Sequence, residues 1–367
     1  MGKIAILLPG LKFGGTERVA LNLARALKAE GFKIDFILMS YEGEFLAEVE
    51  SSFDVYNLRC NRTWKLPMRL LDYIVKQKPN ALISSFWKLN VCACLTRLVY
   101  PAYNLILWEH SQPSKSDNSP TWLYSISASL IYQLATKVVV VSSDVFKDVQ
   151  RITLGLGRKL MIIFNPISPP AFKLCISQRE AGSRNIIWVG RLDEPKNPGL
   201  MLDTFVTLIK KDKNYRLDFV GDGKLRSELV QHSLSLGLQD NVRFLGFQPD
   251  PYVLMARANL LVLTSNREGF GNVLVEALYC GLHVVSTDCG EGIRDILQNN
   301  RYGSIVPTKD KNALATAIER EFDTEHDWRA QIEGAQRFLP RKIALQFIEA
   351  LDLGRTSMIY PRGDSQV

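Results

Sequence analysis

The sequence lacks the features that mark secreted, membrane-spanning and zinc-binding proteins. Its six cysteines include no CxxC pair, and none stands at a zinc-finger spacing from any of the four histidines. No stretch of 18 uncharged apolar residues occurs, which argues against a membrane-spanning helix. The apolar run that ends at Pro9 is too short for a secretory signal. We therefore expect a cytoplasmic protein whose cysteines are reduced and mostly buried.

The length and the uneven charge suggest two domains of different character. The chain has 367 residues, and two domains of about 170–180 residues fit the usual size range. Residues 1–170 carry 20 basic and 13 acidic side chains, whereas the remainder carries 25 of each. The segment 51–115 is the most basic, with nine basic and three acidic side chains. Such a face is either ordinary solvated surface or meets an acidic partner, such as an anionic lipid surface or a charged acceptor.

Apolar runs of strand length alternate with helix-like segments along the chain. In the first half the predicted strands are Ile4–Leu8, Lys33–Met39, Ala81–Ser84, Leu105–Trp108 and Lys137–Val141, with a helix from Thr16 to Ala29. In the second half they are Ile186–Val189, Arg216–Val220, Val242–Leu245, Leu260–Leu263 and His283–Ser286, with helices near 198–211, 223–237, 272–280 and 291–298. This alternation predicts parallel sheets covered by helices on both faces.

A proline-rich segment divides the two series of strands. Residues 166–170 contain three prolines, which stop both a helix and a central strand. We therefore predict an α/β protein of two doubly wound domains, residues 1–168 and 184–338. A helix over 339–352 would pack back towards the first domain, and residues 353–367 would form a tail.

A glycine-containing loop joins the first strand to the first helix, in Pro9-Gly-Leu-Lys-Phe-Gly14-Gly15-Thr16-Glu17. In an open α/β sheet such a loop presents backbone N–H groups and a helix N-terminus to an anion. Gly14 and Gly15 permit a ligand to approach closely. The loop is not a GxGxxG sequence, which weakens a dinucleotide interpretation, and a purely structural loop fits equally well.

Two further motifs place charged side chains where strands end. The segment Val189–Asn197 delivers Arg191 and Lys196 at the carboxyl end of a strand, the usual ligand-binding edge. Cations there would stabilise the charge that develops on a leaving diphosphate, although an ordinary exposed pair is the alternative. Glu268 and Glu276 flank a glycine-rich turn at a helix start, where amides suit phosphate oxygens and a carboxylate suits a diol such as ribose.

Together these motifs, with Val220-Gly221-Asp222-Gly223 and Val242-Arg-Phe-Leu-Gly246, resemble glycosyltransferase family 4 over roughly residues 1–350. The resemblance implies the GT-B fold, in which two Rossmann-like domains face each other across a cleft. It also implies transfer of a sugar from a nucleotide diphosphate sugar, with the first domain binding the acceptor and the second binding the donor.

The resemblance assigns roles residue by residue. It implies that His110, Glu268, Arg191 and Lys196 are catalytic, with His110 contacting the donor sugar near the reacting carbon. The donor-binding residues it implies are Gly14, Gly15, Arg191, Lys196, Phe247, Glu268, Gly269, Phe270, Gly271, Asn272, Val273 and Glu276. Within this set, Arg191 and Lys196 grip the diphosphate, Glu276 binds the ribose and Phe247 lies at the nucleobase. Thr16 and Glu17 are the expected acceptor-binding residues.

The resemblance also implies retention at the anomeric carbon by front-face attack, without a metal ion or other cofactor. Arg191 and Lys196 would stabilise the charge of the diphosphate in place of a metal ion. The absence of an Asp-x-Asp triplet agrees with this expectation. The expected donor is a UDP-sugar, the base being a family-based guess, and the acceptor a lipid-linked glycan of cell-surface polysaccharide, lipopolysaccharide or glycoprotein assembly. The loop up to Asp295 departs from the family pattern, which commonly has Glu there, so it is left unassigned.

Two alternative functions share this architecture. A nucleotide-sugar epimerase or a phosphorylase would need additional acid–base groups or a pyridoxal lysine, which the sequence does not reveal. A non-catalytic sugar-nucleotide binder would be expected to have lost Arg191, Lys196 or Glu268. No nucleic-acid partner is expected.

The basic segment of the first domain holds a candidate membrane patch, namely Arg62, Trp64, Lys65 and Arg69. Basic and aromatic side chains together suit the headgroup region of an anionic membrane. The hypothesis is peripheral contact with the inner face of the membrane, and the alternative is a helix with solubilising charge.

Overall fold

The computed structural model describes residues 2–60, 62–115, 121–171, 182–325 and 327–353, and these form two compact units. The first unit is drawn from Met1–Val141, Val145–Pro166 and the chain from Pro340 onward, and the second from Ser142–Asp144 and Ile167–Leu339. The predicted tail lies outside the described residues apart from Leu353.

The first unit is built on a parallel sheet of seven described strands in the order β3-β2-β1-β4-β5-β6-β7. These are β1 (Lys3–Leu8), β2 (Lys33–Leu38), β3 (Asp54–Asn57), β4 (Ala81–Ser85), β5 (Asn104–Glu109), β6 (Lys137–Val140) and β7 (Leu160–Ile162). Strand β1 is central, and Ile4 pairs with Ile34 on one side and Ala81 on the other. Its residues from Ile4 to Leu8 are fully buried, as expected of a parallel strand covered on both faces.

Helices cover this sheet because their apolar residues recur on one face. They are α1 (Gly15–Ala29), α2 (Leu46–Glu50), α3 (Leu66–Gln77), α4 (Trp87–Val99), α5 (Thr121–Ile131) and α6 (Ser143–Ile152). In α1 the side chains of Val19, Leu23 and Leu27 are buried at helical spacing.

The second unit repeats the design with a parallel sheet whose described strands run in the order β10-β9-β8-β11-β12-β13. The strands are β8 (Arg184–Val189), β9 (Tyr215–Val220), β10 (Val242–Phe244), β11 (Leu260–Leu263), β12 (His283–Thr287) and β13 (Ser304–Val306). The helices are α7 (Pro198–Lys211), α8 (Arg226–Ser235), α9 (Tyr252–Arg257), α10 (Asn272–Tyr279), α11 (Glu291–Leu297), α12 (Lys311–Asp323) and α13 (Trp328–Ala335). The prediction of two doubly wound α/β domains is confirmed.

The last described helix, α14 (Pro340–Ala350), belongs to the first unit, where it packs against α1. The Phe347 ring lies 5.0 Å from that of Trp108, edge to face, and both are fully buried. The Asn104 side chain donates to the Leu351 carbonyl at 2.7 Å. The residues that complete the first unit therefore follow the second unit in the sequence.

Candidate active site

The loop after β8 is pressed closely against the loop after β9. Leu192 donates its N–H to the Asp222 carbonyl at 3.0 Å, and Gly190 donates to Val220 at the same distance. Gly221 has φ +136°, and a Cβ there would collide with the carbonyl oxygen of Gly190. Only glycine tolerates both this positive φ and the lack of space for a Cβ. Gly221 therefore permits the close packing of the two loops, one of which carries Arg191.

Arg191 extends from this loop into solvent. Its side chain is 74% exposed and forms one ion pair, with Asp193 at 3.2 Å. An exposed pair of this kind is weak, so the guanidinium keeps its freedom to bind an anionic ligand at the carboxyl edge of the sheet.

Lys196 and Glu268, 72 positions apart in sequence, meet at this same edge. The Lys196 Nζ lies 2.5 Å from Glu268 Oε1, and Ser265 Oγ donates to that oxygen at 2.7 Å. Both charged side chains are largely shielded, with exposures of 24% and 11%. Asn197, in the left-handed region at φ +48°, turns the chain into α7 and places Lys196 directly before it. The structure thus brings together two of the residues for which catalysis was predicted.

The glycine-rich turn after Glu268 leads directly into α10. Gly271 has φ +99°, a left-handed conformation that side chains disfavour, and a Cβ there would lie 2.9 Å from Ile293. The residues Asn272 and Val273 form the first turn of the helix, the end at which the helix dipole favours an anion. Phe270 is buried, with its ring 5.6 Å from that of Phe338, so only its backbone is placed to serve the predicted donor site.

Glu276 and Phe247 are the remaining donor residues predicted in this unit. Glu276 is half-buried on α10, one turn beyond Asn272, and its charge contributes to raising the pKa of Tyr252 after the larger effect of burial. Phe247 is 45% exposed beyond β10 and follows Gly246, whose φ is +70°.

In the first unit the glycine loop leads into α1 as predicted. Gly14 is extended and precedes the first helical residue, Gly15. The Glu17 carboxylate folds back over Gly14, where a Cβ would collide with it. Burial raises the pKa of Glu17. Thr16 lines the large cavity of this unit.

That cavity has a volume of about 1100 Å³ and contains residues from several separate predictions. Its walls are Pro9, Thr16, Met39, Arg62, Thr63, Trp64, Phe86, Trp87, Lys88, Leu89, Glu109, His110, Ser111, Pro113 and Tyr124. Predicted acceptor residue Thr16, predicted catalytic residue His110 and two members of the predicted membrane patch therefore share one space.

His110 lies just beyond the end of β5 and is uncharged at ordinary pH. Its Nε2 is 3.3 Å from Ser85 Oγ, and its Nδ1 is a buried atom without a hydrogen-bond partner among the described residues. The ring lies 4.5 Å from that of Trp108. Burial lowers the pKa of His110 to about 3, so this side chain suits hydrogen bonding rather than proton abstraction.

Glu109, the neighbour of His110, is a candidate functional residue that the motifs did not identify. It is 4% exposed at the end of β5, and its Oε1 accepts from Asn90 Nδ2 at 2.9 Å, Tyr124 OH at 3.3 Å and Tyr132 OH at 2.5 Å. Burial raises its pKa, and the three donors lower it to a lesser degree. The sequence signal that could have identified Glu109 is its position at the carboxyl end of an apolar strand.

Five of the six cysteines lie in the described part of the chain, at positions 60, 92, 94, 280 and 289, and these are free and buried. In the described part of the chain, no group of three or more His, Cys, Asp or Glu side chains could hold a metal ion. None of the described helices is long and apolar enough to span a membrane.

Comparisons with known proteins match each of the two units to a glycosyltransferase family model. Residues 13–169 match the family model Glycosyltransferase Family 4, and residues 176–338 match Glycosyl transferases group 1. A similar protein is N-acetylgalactosamine-N,N'-diacetylbacillosaminyl-diphospho-undecaprenol 4-alpha-N-acetylgalactosaminyltransferase of Campylobacter jejuni, 29% identical over 87% of this chain and 90% of its own. A second enzyme of that organism, GalNAc-alpha-(1->4)-GalNAc-alpha-(1->3)-diNAcBac-PP-undecaprenol alpha-1,4-N-acetyl-D-galactosaminyltransferase, is 28% identical over 92% and 93%.

Solved structures agree on the fold. Anabaena Alr3699/HepE in complex with UDP superposes with a TM-score of 0.80 over 96% of this chain and 100% of that chain, at 20% identity. The two family matches extend over most of the sequence, and the structure has the two parallel-sheet units that they require. The chain is a glycosyltransferase of the GT-B fold and of the family 4 type.

Proposed function

We propose that this glycosyltransferase transfers a sugar from a UDP-sugar to a lipid-linked glycan, with retention at the anomeric carbon. The observation that carries the donor half is the meeting of Lys196 and Glu268 at the start of α10, beside the exposed Arg191. The names of the two Campylobacter enzymes support a lipid-linked acceptor, and the HepE complex supports UDP.

The cations would bind the donor diphosphate. Lys196 is held by the Glu268 carboxylate, and a diphosphate offers it a partner of higher charge. Arg191 supplies planar, multiple donors for phosphate oxygens. As the sugar leaves, charge accumulates on the diphosphate, so both contacts strengthen in the transition state and accelerate the chemical step. In this proposal no metal ion is required.

The turn and helix α10 would hold the rest of the donor. The segment Gly271–Val273 would lie beside the donor phosphates, at the positive end of the helix dipole. Glu276, one turn further, would accept hydrogen bonds from the two ribose hydroxyls, and Phe247 would lie against the base. Glu268, anchored through Ser265, would accept from hydroxyls of the donor sugar.

Retention then follows from attack on the face that the diphosphate leaves. The bond between the anomeric carbon and the phosphate oxygen breaks, the acceptor oxygen bonds to that carbon, and its proton passes to the departing phosphate oxygen. No strong base is needed, which agrees with the low pKa of His110. His110 would instead hydrogen-bond to the donor sugar as a neutral ring.

A membrane contact would bring the enzyme to a lipid-linked acceptor. In the predicted patch Trp64 is 66% exposed, and the Lys65 Nζ lies 5.1 Å from its ring centre. On α5, Trp122, Ile126 and Leu130 are exposed and follow each other at four-residue spacing along one face. Helix α4, which exposes its own apolar residues, contacts both α3 and α5. Exposed apolar groups therefore occur on helices that neighbour the basic segment, which supports peripheral binding to an anionic inner leaflet.

The function is tested first by donor binding. UDP-glucose, UDP-galactose, UDP-N-acetylglucosamine, UDP-N-acetylgalactosamine and GDP-mannose are added in turn, and the melting temperature is measured. The true donor at 100 times its Kd should stabilise the protein by about 2.7 kcal/mol. Stabilisation by GDP-mannose alone would refute the choice of base.

Turnover is tested next, with the stabilising donor and undecaprenyl-diphosphate glycans. Release of UDP together with an α-linked product supports the proposal. A β-linked product would refute retention. Donor binding without any UDP release would instead identify a non-catalytic sugar-nucleotide binder.

A further inference from the structure

We propose that Glu109 binds the acceptor glycan, its carboxylate oxygen Oε2 accepting a hydrogen bond from a sugar hydroxyl in the cavity of the first unit. The inference rests on the proposed function, and it adds a specificity-determining residue to it.

The two oxygens of Glu109 have different environments. Oε1 accepts from Asn90, Tyr124 and Tyr132, which fix the side chain from α4, α5 and the turn after it. No donor among the described residues reaches Oε2, and this atom is not one of the sealed polar atoms that lack a partner. Because Glu109 also lines the cavity, Oε2 is the acceptor that is left for a ligand. An oxygen that is open to the cavity, on a side chain held rigidly through its other oxygen, can accept a hydrogen bond from a bound hydroxyl.

The cavity walls suit a sugar, since they are apolar and aromatic with a few polar atoms. Phe86 adopts φ 74° and ψ 131°, a strained conformation for a bulky residue, and its side chain lines the cavity. Trp87 is held by a hydrogen bond from its Nε1 to Ser127 Oγ at 3.0 Å. Small-molecule sites combine such walls with a few fixed polar groups that set orientation.

The single open oxygen of Glu109 would make the site selective. An acceptor that lacks the matching hydroxyl would leave Oε2 buried and unpaired, which weakens binding.

The test compares Glu109→Gln with wild type in the full chain. The amide oxygen of Gln can keep the three donors on the Oε1 side, while an NH₂ replaces Oε2. The probes are the octyl glycosides of glucose, galactose, N-acetylglucosamine and N-acetylgalactosamine. Binding is followed by the change in intrinsic tryptophan fluorescence, to which Trp64 and Trp87 contribute from the cavity wall. The best wild-type probe should bind about 10- to 100-fold more weakly to E109Q, the range for a hydrogen bond to a charged group. Stabilisation by the UDP-sugar should not change.

Tyr132→Phe is the matched control, because it removes a donor to Oε1 but its side chain is not part of the cavity wall. We expect lower thermal stability and nearly unchanged glycoside affinity. A structural role for Glu109 would give the same pattern in both variants, and that result would overturn the proposal.

A second measurement covers the case in which E109Q does not fold. Wild type is titrated with monodeoxy analogues of its best glycoside, and one analogue should lose the same 10- to 100-fold. Equal affinity for all analogues would overturn the proposal, as would the absence of binding by any glycoside. Because fluorescence requires no turnover, these results are independent of whether the proposed transfer reaction is observed.

Discussion

The two units use the same architecture but build their candidate sites in different ways. In the second unit the charged residues come from short motifs at strand ends, and Lys196 and Glu268 meet directly. In the first unit the site is a cavity whose residues are spread from Pro9 to Tyr124. The difference fits their proposed ligands, because a diphosphate needs concentrated charge and amides, whereas a glycan needs walls and a few selective polar atoms.

The largest effect should come from the cations of the second unit. Arg191→Ala and Lys196→Ala are each expected to lower kcat/KM by on the order of 10²-fold or more, since a preorganised contact to developing charge is lost. Steady-state kinetics with the stabilising donor measure this. Arg243→Ala is the control, because Arg243 forms an exposed ion pair with Asp218 at 2.6 Å in the same unit and should change turnover little. Near wild-type kinetics in folded R191A or K196A would remove the diphosphate assignment.

The next effect concerns the basic face of the first unit. Replacing Arg62, Lys65 and Arg69 together by Glu should weaken vesicle binding by at least about 100-fold, since each cation lost near an anionic surface contributes about 1 kcal/mol and each Glu adds repulsion. Co-sedimentation with vesicles of 30% anionic lipid tests this, and binding should fall with added salt.

The matched control reverses three exposed lysines of the second unit, Lys210, Lys213 and Lys224, with the same change in net charge. Equal loss in both triple variants would show a net-charge effect only. Equal recovery of wild type and the first variant in the supernatant would leave the patch as ordinary surface.

A smaller effect separates ground-state from transition-state contacts within the donor site. Glu276→Ala should raise the donor KM about 10-fold with little change in kcat, because ribose contacts are present in both states. Glu276→Gln retains one acceptor oxygen and should lie between. An unchanged donor KM in E276A would show that Glu276 contributes only to the capping or packing of α10.

A further effect, on stability and not on catalysis, is a pH dependence at His110. The folded pKa of about 3 lies below the unfolded value of about 6.5, so the unfolded state binds more protons between these values. Stability from this group is therefore complete above pH 6.5 and falls as the pH drops towards 3, by at most about 1.4 kcal/mol per pH unit. Urea unfolding of wild type and His110→Asn at pH 7 and pH 5 measures it. A loss that is no larger in wild type than in H110N would contradict a buried neutral His110.

Central strands and long amphipathic helices were predictable from local pattern. The strand Leu260–Leu263 and the helix Pro198–Lys211 occur where the pattern placed them. The edge strands β3, β7 and β13 were not predicted, because short runs carry little periodic signal. Their pairing depends on neighbouring strands that are distant in sequence. The remaining edge strand, β10, was predicted.

The sequence by itself determined the fold class and the family and indicated the charged residues of the proposed donor site, because each depends on residue type at a short spacing. Only the tertiary structure decided that Glu268 bonds Lys196 and that the Phe270 ring is buried. It also placed Glu109 beneath three donors that come from positions 90, 124 and 132. Such contacts join residues that no local pattern relates, and they form only when burial of the apolar strands brings those positions together.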